Sequence, residues 1–155
     1  MWPVCSWERS RSAGSFFRRP VLTAHLASTW MLVGLIWVMQ ILAYPQFLRV
    51  GKAEFAEYHF AHCWRIGLTV TPLLAIEAVT AAWLLYQGHR ELSFLISVGL
   101  IFAIWLSTAV IQAPMHTKLM KGADAEIIRR LILTNWLRTL AWTVRGVLVA
   151  YVAAV

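Results

Sequence analysis

The stretch Ile66–Gln87, IGLTVTPLLAIEAVTAAWLLYQ, carries a single charge, Glu77, and that charge falls near its middle. About 20 helical residues cross the ~30 Å hydrocarbon layer of a bilayer, so this run is long enough to span one. Only helices and closed barrels satisfy their backbone in lipid, and the run lacks the period-2 alternation of a barrel strand. Working outward, Val21–Tyr44, Leu92–Ala113 and Leu133–Val155 read the same way. Hydrophobic residues make up 60% of the chain, and the mean hydropathy is +0.65. A chain of 155 residues has no room for a second domain once four spans are counted. The expected fold is all-α membrane: a four-helix transmembrane bundle over residues 21–155, preceded by a basic, poorly ordered arm over residues 1–20.

The formal charge of +7 would suggest nucleic acid in a soluble chain. Here basic loops facing anionic headgroups explain it, and no nucleic-acid motif is present. The lipid bilayer is the expected partner. Cys5 and Cys63 would lie on opposite faces of the membrane, too far apart for a disulfide, and no CxxC spacing occurs. Arg9, Arg11, Arg18 and Arg19 precede the first run as in a signal peptide. The run is too long for one, however, and no small-x-small cleavage pattern follows, so a retained anchor is expected. The count of Lys and Arg on the two sides does not decide the orientation, but an arm with these arginines is hard to translocate, which favours an N-terminus inside.

Punctuation along the chain sets the helix ends. Pro45 is expected to stop the first helix, Pro72 to kink the second and Pro114 to end the third. Gly88 reads as a C-cap and Asp124 as an N-cap, with Glu126 and Arg130 forming an i,i+4 pair just beyond. With four spans, the first and third connections share one side of the membrane. Gln40, Tyr44, His59, His62 and Arg65 flank the first; Gln112, His116, Asn135 and Arg138 flank the third. Polar residues of all four helices therefore converge on one end of the bundle.

Three groups there or below could carry chemistry. Glu77 and Arg145 lie at matching depth, ~16–20 Å from the polar end at 1.5 Å per residue, and are expected to pair between helices. Such a pair either locks two helices together or serves as a proton relay or a binding site for a charged group. His59 and His62 share a helix face at i,i+3, and His116 joins them from the third helix. Together they are candidate ligands for a transition metal or one side of a haem. Asn135, Arg138, Trp142 and Arg145 form one stripe on the fourth helix that cannot face lipid. From these positions Glu77, Arg145 and Arg138 are the candidate catalytic residues. Gln40, Tyr44, Gln112, Asn135, Trp136 and Trp142 are the candidate substrate-binding residues. Gly34, Gly67, Gly99 and Gly146 are expected to permit close helix contacts.

Tyr44-Pro45, Tyr58-His59-x-x-His62-x-x-Arg65, Gln112-x-Pro114-x-His116 and Asn135-Trp136-x-Arg138 together resemble a family of small uncharacterised bacterial four-span membrane proteins. That resemblance covers nearly the whole chain after residue 20 and implies a bacterial inner-membrane location. More remotely, the four-span plan, the proline closing the third helix and the Asn135-x-x-Arg138 spacing are similar to the anthrone-oxygenase-like membrane proteins. That likeness implies oxidation of a polycyclic aromatic by molecular oxygen in a pocket at the helix ends. The expectation is a metal- or cofactor-binding, redox or oxygenase-like protein acting on a hydrophobic small molecule. The rival is a non-enzymatic accessory or assembly subunit of a larger membrane complex, with a membrane-protein partner. A small-solute carrier is a third class, disfavoured by the lack of visible inverted repeats.

Overall fold

A computed structural model describes the backbone of residues 7–155 and the side chains of residues 19–155. Four helices are long and apolar enough to cross a membrane: α1 (Arg19–Arg49), α2 (Phe55–Tyr86), α3 (Leu92–Leu119) and α4 (Ala125–Ala154). No strand occurs among the described residues. The chain is an all-α four-helix bundle, as its hydropathy requires. The first six residues of the basic arm, with Cys5, lie outside the described residues. From Trp7 onward the backbone is already α-helical and runs unbroken into α1.

Lipid would strand any backbone polar group without a partner, so the connections are short, and the end of α2 and the start of α4 are capped. α2 ends in a Schellman turn. His89 N–H donates to Leu84 C=O and Gly88 N–H to Leu85 C=O, both at 3.1 Å, with Gly88 at φ +92°. At the start of α4 the Asp124 carboxylate accepts from the backbone N–H of Glu126 and Ile127, at 2.9 and 3.1 Å. Glu126 and Arg130 pair one turn later at 2.6 Å.

Pro45 and Pro114 do not end their helices. A proline removes one N–H and crowds the carbonyl four residues back. Both helices absorb this by widening a single turn just upstream. Met39–Ala43 and Thr108–Gln112 are π-helical, so Tyr44 N–H reaches Met39 C=O and Ala113 N–H reaches Thr108 C=O. α1 then continues to Arg49 and α3 to Leu119. The two wide turns carry Gln40 and Gln112, both buried. Pro72 lies inside α2, whose helical backbone continues past it.

α1 packs along α2 and α4, and α4 along α3. Of the four glycines expected at close contacts, Gly146 fits. A Cβ there would stand 3.1 Å from Val33 Cγ2, so the α1–α4 seam is tight at that level. Gly34, Gly67 and Gly99 would meet nothing within 4 Å among the described residues. They sit where the neighbouring helix is not close.

Apolar clusters tie the bundle at three levels. Met39, Tyr44, Phe47, Phe55, Leu119, Ile128 and Leu131 close the end that carries both prolines. Leu32, Val33, Ile36, Ile104 and Trp142 fill the middle. Leu84, Phe94 and Val152 close the opposite end. Outward-facing side chains such as Phe60, Trp64, Phe102 and Leu133, each more than 60% exposed, form the belt that lipid would cover.

Candidate metal centre

The proline-bearing end gathers side chains from all four helices. On α2, His59 and Cys63 are one turn apart (i,i+4) and face the bundle. On α3, the extension past Pro114 places His116 opposite them. Three ligand-capable atoms meet there. His116 Nδ1 lies 3.3 Å from His59 Nε2, Cys63 Sγ lies 3.5 Å from His59 Nε2, and Cys63 Sγ lies 3.8 Å from His116 Nδ1. Those separations can be compared with a metal's demands. With metal–nitrogen bonds of ~2.0–2.1 Å, metal–sulfur bonds of ~2.3 Å and tetrahedral angles, N···N edges are ~3.3 Å and N···S edges ~3.6 Å. The triangle in the bundle has these dimensions, so one ion could touch all three atoms with little movement.

The rings are held by aromatic packing. His59 stacks on Phe55 at 5.5 Å between centroids, and His116 stacks on His59 at 5.2 Å. Tyr44 and Phe47, from the segment after the first π-turn, press on His116 and His59. His59 is fully buried, whereas Cys63 and His116 are half-buried. His59 Nδ1 has no hydrogen-bond partner among the described residues.

His62 was expected among the ligands, and the structure brings it near without including it. Its ring lies 6.4 Å from that of His59 and edge-on to Phe47. It instead lines a small outer groove of about 260 Å³ with Tyr58 and Arg65. Cys63 stands in its place. Sequence reading weighed that cysteine only for a disulfide, although its i,i+4 spacing to His59 was the available signal. Glu54 and Glu57 are not among the ligand atoms that converge.

Beside the triangle, Arg138 interacts with the Tyr44 hydroxyl and donates to Asn135 Oδ1 at 3.0 Å. Asn135 in turn donates to Gln40 Oε1 at 2.8 Å, and Gln40 donates to Ile132 C=O at 3.2 Å. This chain ties the first π-turn to α4. Gln112, from the second π-turn, accepts from Ser107 at 3.2 Å. Its amide nitrogen has no partner among the described residues. Trp136 is placed elsewhere. It is 40% exposed and packs edge-on against Trp37 on the outer face. Trp64 is exposed as well. Helical periodicity turns both outward while their neighbours Asn135 and Cys63 turn in.

Glu77 and Arg145 form the expected interhelical pair, both fully buried. The pair belongs to a wider knot. Arg145 also donates to Ser97 C=O at 3.2 Å and to Thr29 at 3.3 Å, and its other terminal nitrogen meets His25 at 3.3 Å. Thr29 donates to Glu77 at 3.2 Å, and His25 bonds Thr80 at 2.8 Å. Trp142 lies beneath the guanidinium, 5.2 Å away, a cation–π contact at mid-bundle rather than a wall of the histidine site. One Arg145 side chain thus touches α1, α2 and α3 from α4.

Set against family models, curated proteins and solved structures, the chain matches none of them.

Proposed function

We propose that this is a metal-binding membrane protein in which His59 Nε2, Cys63 Sγ and His116 Nδ1 hold one transition-metal ion and leave a coordination position open. The observation that carries the reading is the ligand triangle, whose edges of 3.3, 3.5 and 3.8 Å suit a single ion. Two imidazoles with one thiolate favour copper or zinc over hard, oxygen-seeking cations. Three protein ligands with an open fourth position make a reactive rather than a purely structural site. The resemblance to anthrone-oxygenase-like proteins supports a redox or oxygenase-like use on a hydrophobic small molecule, and it favours copper over redox-inert zinc.

Around the ion each residue has a task that its contacts suggest. Arg138 and Tyr44 present a cation and a hydroxyl beside His116, suited to hold an oxygen atom of a substrate. Asn135 and Gln40 position Arg138. Glu77 and Arg145 lie in the knot one stage deeper, and there they hold the helices rather than reach the ion. The bacterial inner membrane, with the N-terminus inside, is the location the resemblance and the basic arm favour.

The test is metal analysis of protein purified in mild detergent, with an optical spectrum after titration with copper and, separately, with cobalt. The expected result is one ion per chain and a strong visible thiolate-to-metal band that Cys63→Ser abolishes. A folded chain that takes up no metal would end the proposal and return the assembly-subunit reading to first place.

A further inference from the structure

At the proline-bearing end, the side-chain atoms buried without a hydrogen-bond partner among the described residues are all nitrogens: His59 Nδ1, His62 Nε2, Gln112 Nε2 and Arg138 Nε. The last two are donors in any protonation state, because an amide NH2 and a guanidinium N–H do not accept. Gln112 stands one turn before His116 on α3 and is 1% exposed. The Ser107 hydroxyl already donates to its Oε1, so its nitrogen is the atom left over. Arg138 gives one terminal nitrogen to Asn135 and keeps Nε idle.

Charge points the same way. The groups that act electrostatically on His116 are His59, His62 and Arg138, each a cation or able to become one. Among the described residues no carboxylate lies within ion-pair distance of Arg138. None joins the converging ligand atoms, and Glu54 and Glu57 are exposed. A divalent ion in the triangle would bring two positive charges and Arg138 one, against the single negative charge of a Cys63 thiolate. Tyr44, Phe47 and Phe55 pack on the two imidazoles and shield them in part from water. There an excess of positive charge is costly until an anion offsets it. On the reading that the triangle holds an ion, we infer that its open position takes a small monoanion such as formate, with Arg138 and Gln112 donating to it. The crowding by aromatic rings favours a ligand of few atoms. A larger substrate would bind there through an anionic oxygen of its own.

The experiment uses the whole chain in detergent, loaded with cobalt and titrated with formate and with azide while the thiolate-to-metal band is followed. Formamide, which has the shape of formate without its charge, is the control. Both anions should move the band and saturate at one per chain, and formamide should leave it in place at the same concentrations. Arg138→Gln should weaken both anions about 10- to 100-fold, the size of one charge-assisted hydrogen bond. Arg138→Lys, which keeps the charge, should recover part of that loss. Gln112→Leu should weaken them about 3- to 10-fold, the size of a neutral one. Cobalt content, measured in every sample, should stay at one per chain, since none of these substitutions removes a ligand. Equal response of the wild-type chain to formate and formamide, or unchanged anion affinity in cobalt-loaded Arg138→Gln, would overturn the inference and leave the metal reading standing. A chain that takes up no ion would end both. The wild-type comparison needs no variant to fold.

Discussion

The mid-bundle knot and the proline-bearing end are both clusters of polar side chains inside an apolar bundle, and they are built on opposite plans. In the knot, all three nitrogens of the Arg145 guanidinium have partners, contributed by α1, α2 and α3. The guanidinium, the Thr29 hydroxyl and the His25 imidazole are matched, the Glu77 carboxylate is met at Oε1 while its Oε2 lacks a partner among the described residues, and every one of these side chains is fully buried. At the end, two ring nitrogens and a sulfur are turned towards one another, and a further nitrogen on His59, another on His62 and the Gln112 amide lack partners among the described residues. In the knot the one cation and the one carboxylate answer each other. Converging ligand-capable atoms could hold a cation. On the proposed reading the knot holds four helices in register and the end receives an ion.

The largest effect that separates the two belongs to the knot. Arg145→Ala leaves Glu77 buried without its cation, and breaking such a pair costs ~3–5 kcal/mol. Thermal unfolding in detergent should show a collapse in stability, or the variant should fail to accumulate. Replacing both partners with methionine removes two charges from a low-dielectric site and should recover most of the loss. Should the double variant remain as unstable as the single one, the knot does more than hold helices, and the proton-relay reading of Glu77 returns.

Next in size is the metal. Cys63→Ser or His116→Ala removes a direct ligand and should weaken copper or cobalt binding by more than ~100-fold, since even the partners of ligands are worth 10–100-fold. Unfolding temperature without metal should stay near that of the wild type. Parallel losses of stability and metal affinity would erase the contrast between the two clusters.

Smaller again is the tie between them. Asn135→Ala leaves the Gln40 carbonyl oxygen with only the longer Thr139 hydroxyl contact at 3.4 Å and frees Arg138, at a cost of up to ~1–3 kcal/mol for a weakened buried bond. It should lower stability modestly and metal affinity slightly, because the tie holds the first π-turn against α4 without touching the ligands.

How much of this was legible in the sequence depends on the length scale of the signal. Spans, caps and the Glu77–Arg145 pair follow from local composition and from depth along a helix, and the Asp124 cap and the Gly88 turn need only neighbouring residues. What could not be read was how helices answer a proline. Pro45 and Pro114 look like stops, yet in an apolar bundle the carbonyl set free by a broken helix has no water to turn to. A widened turn keeps the ladder closed, so the helix goes on. That extension carries His116 to α2. Rotation about the α2 axis then decides which of His62 and Cys63 meets it, and a spacing of three or four residues leaves that choice open. His25 was missed for a related reason: its partner lies on α4, and no single-helix pattern shows it.

The smallest expected effect is the sharpest discriminator. His62→Ala removes an imidazole next to the ligand triangle in sequence and in space. If the ion is held by the atoms that now converge, metal affinity should change by less than ~3-fold, within the reach of a substitution that touches no ligand and no partner of one. If His62 swings inward to fill the open position, affinity should fall by an order of magnitude or more, and the site would be a closed four-ligand one. Closed sites are structural and open sites are reactive. A single dissociation constant for this variant therefore decides whether the end of the bundle can admit a substrate to the ion or only store it.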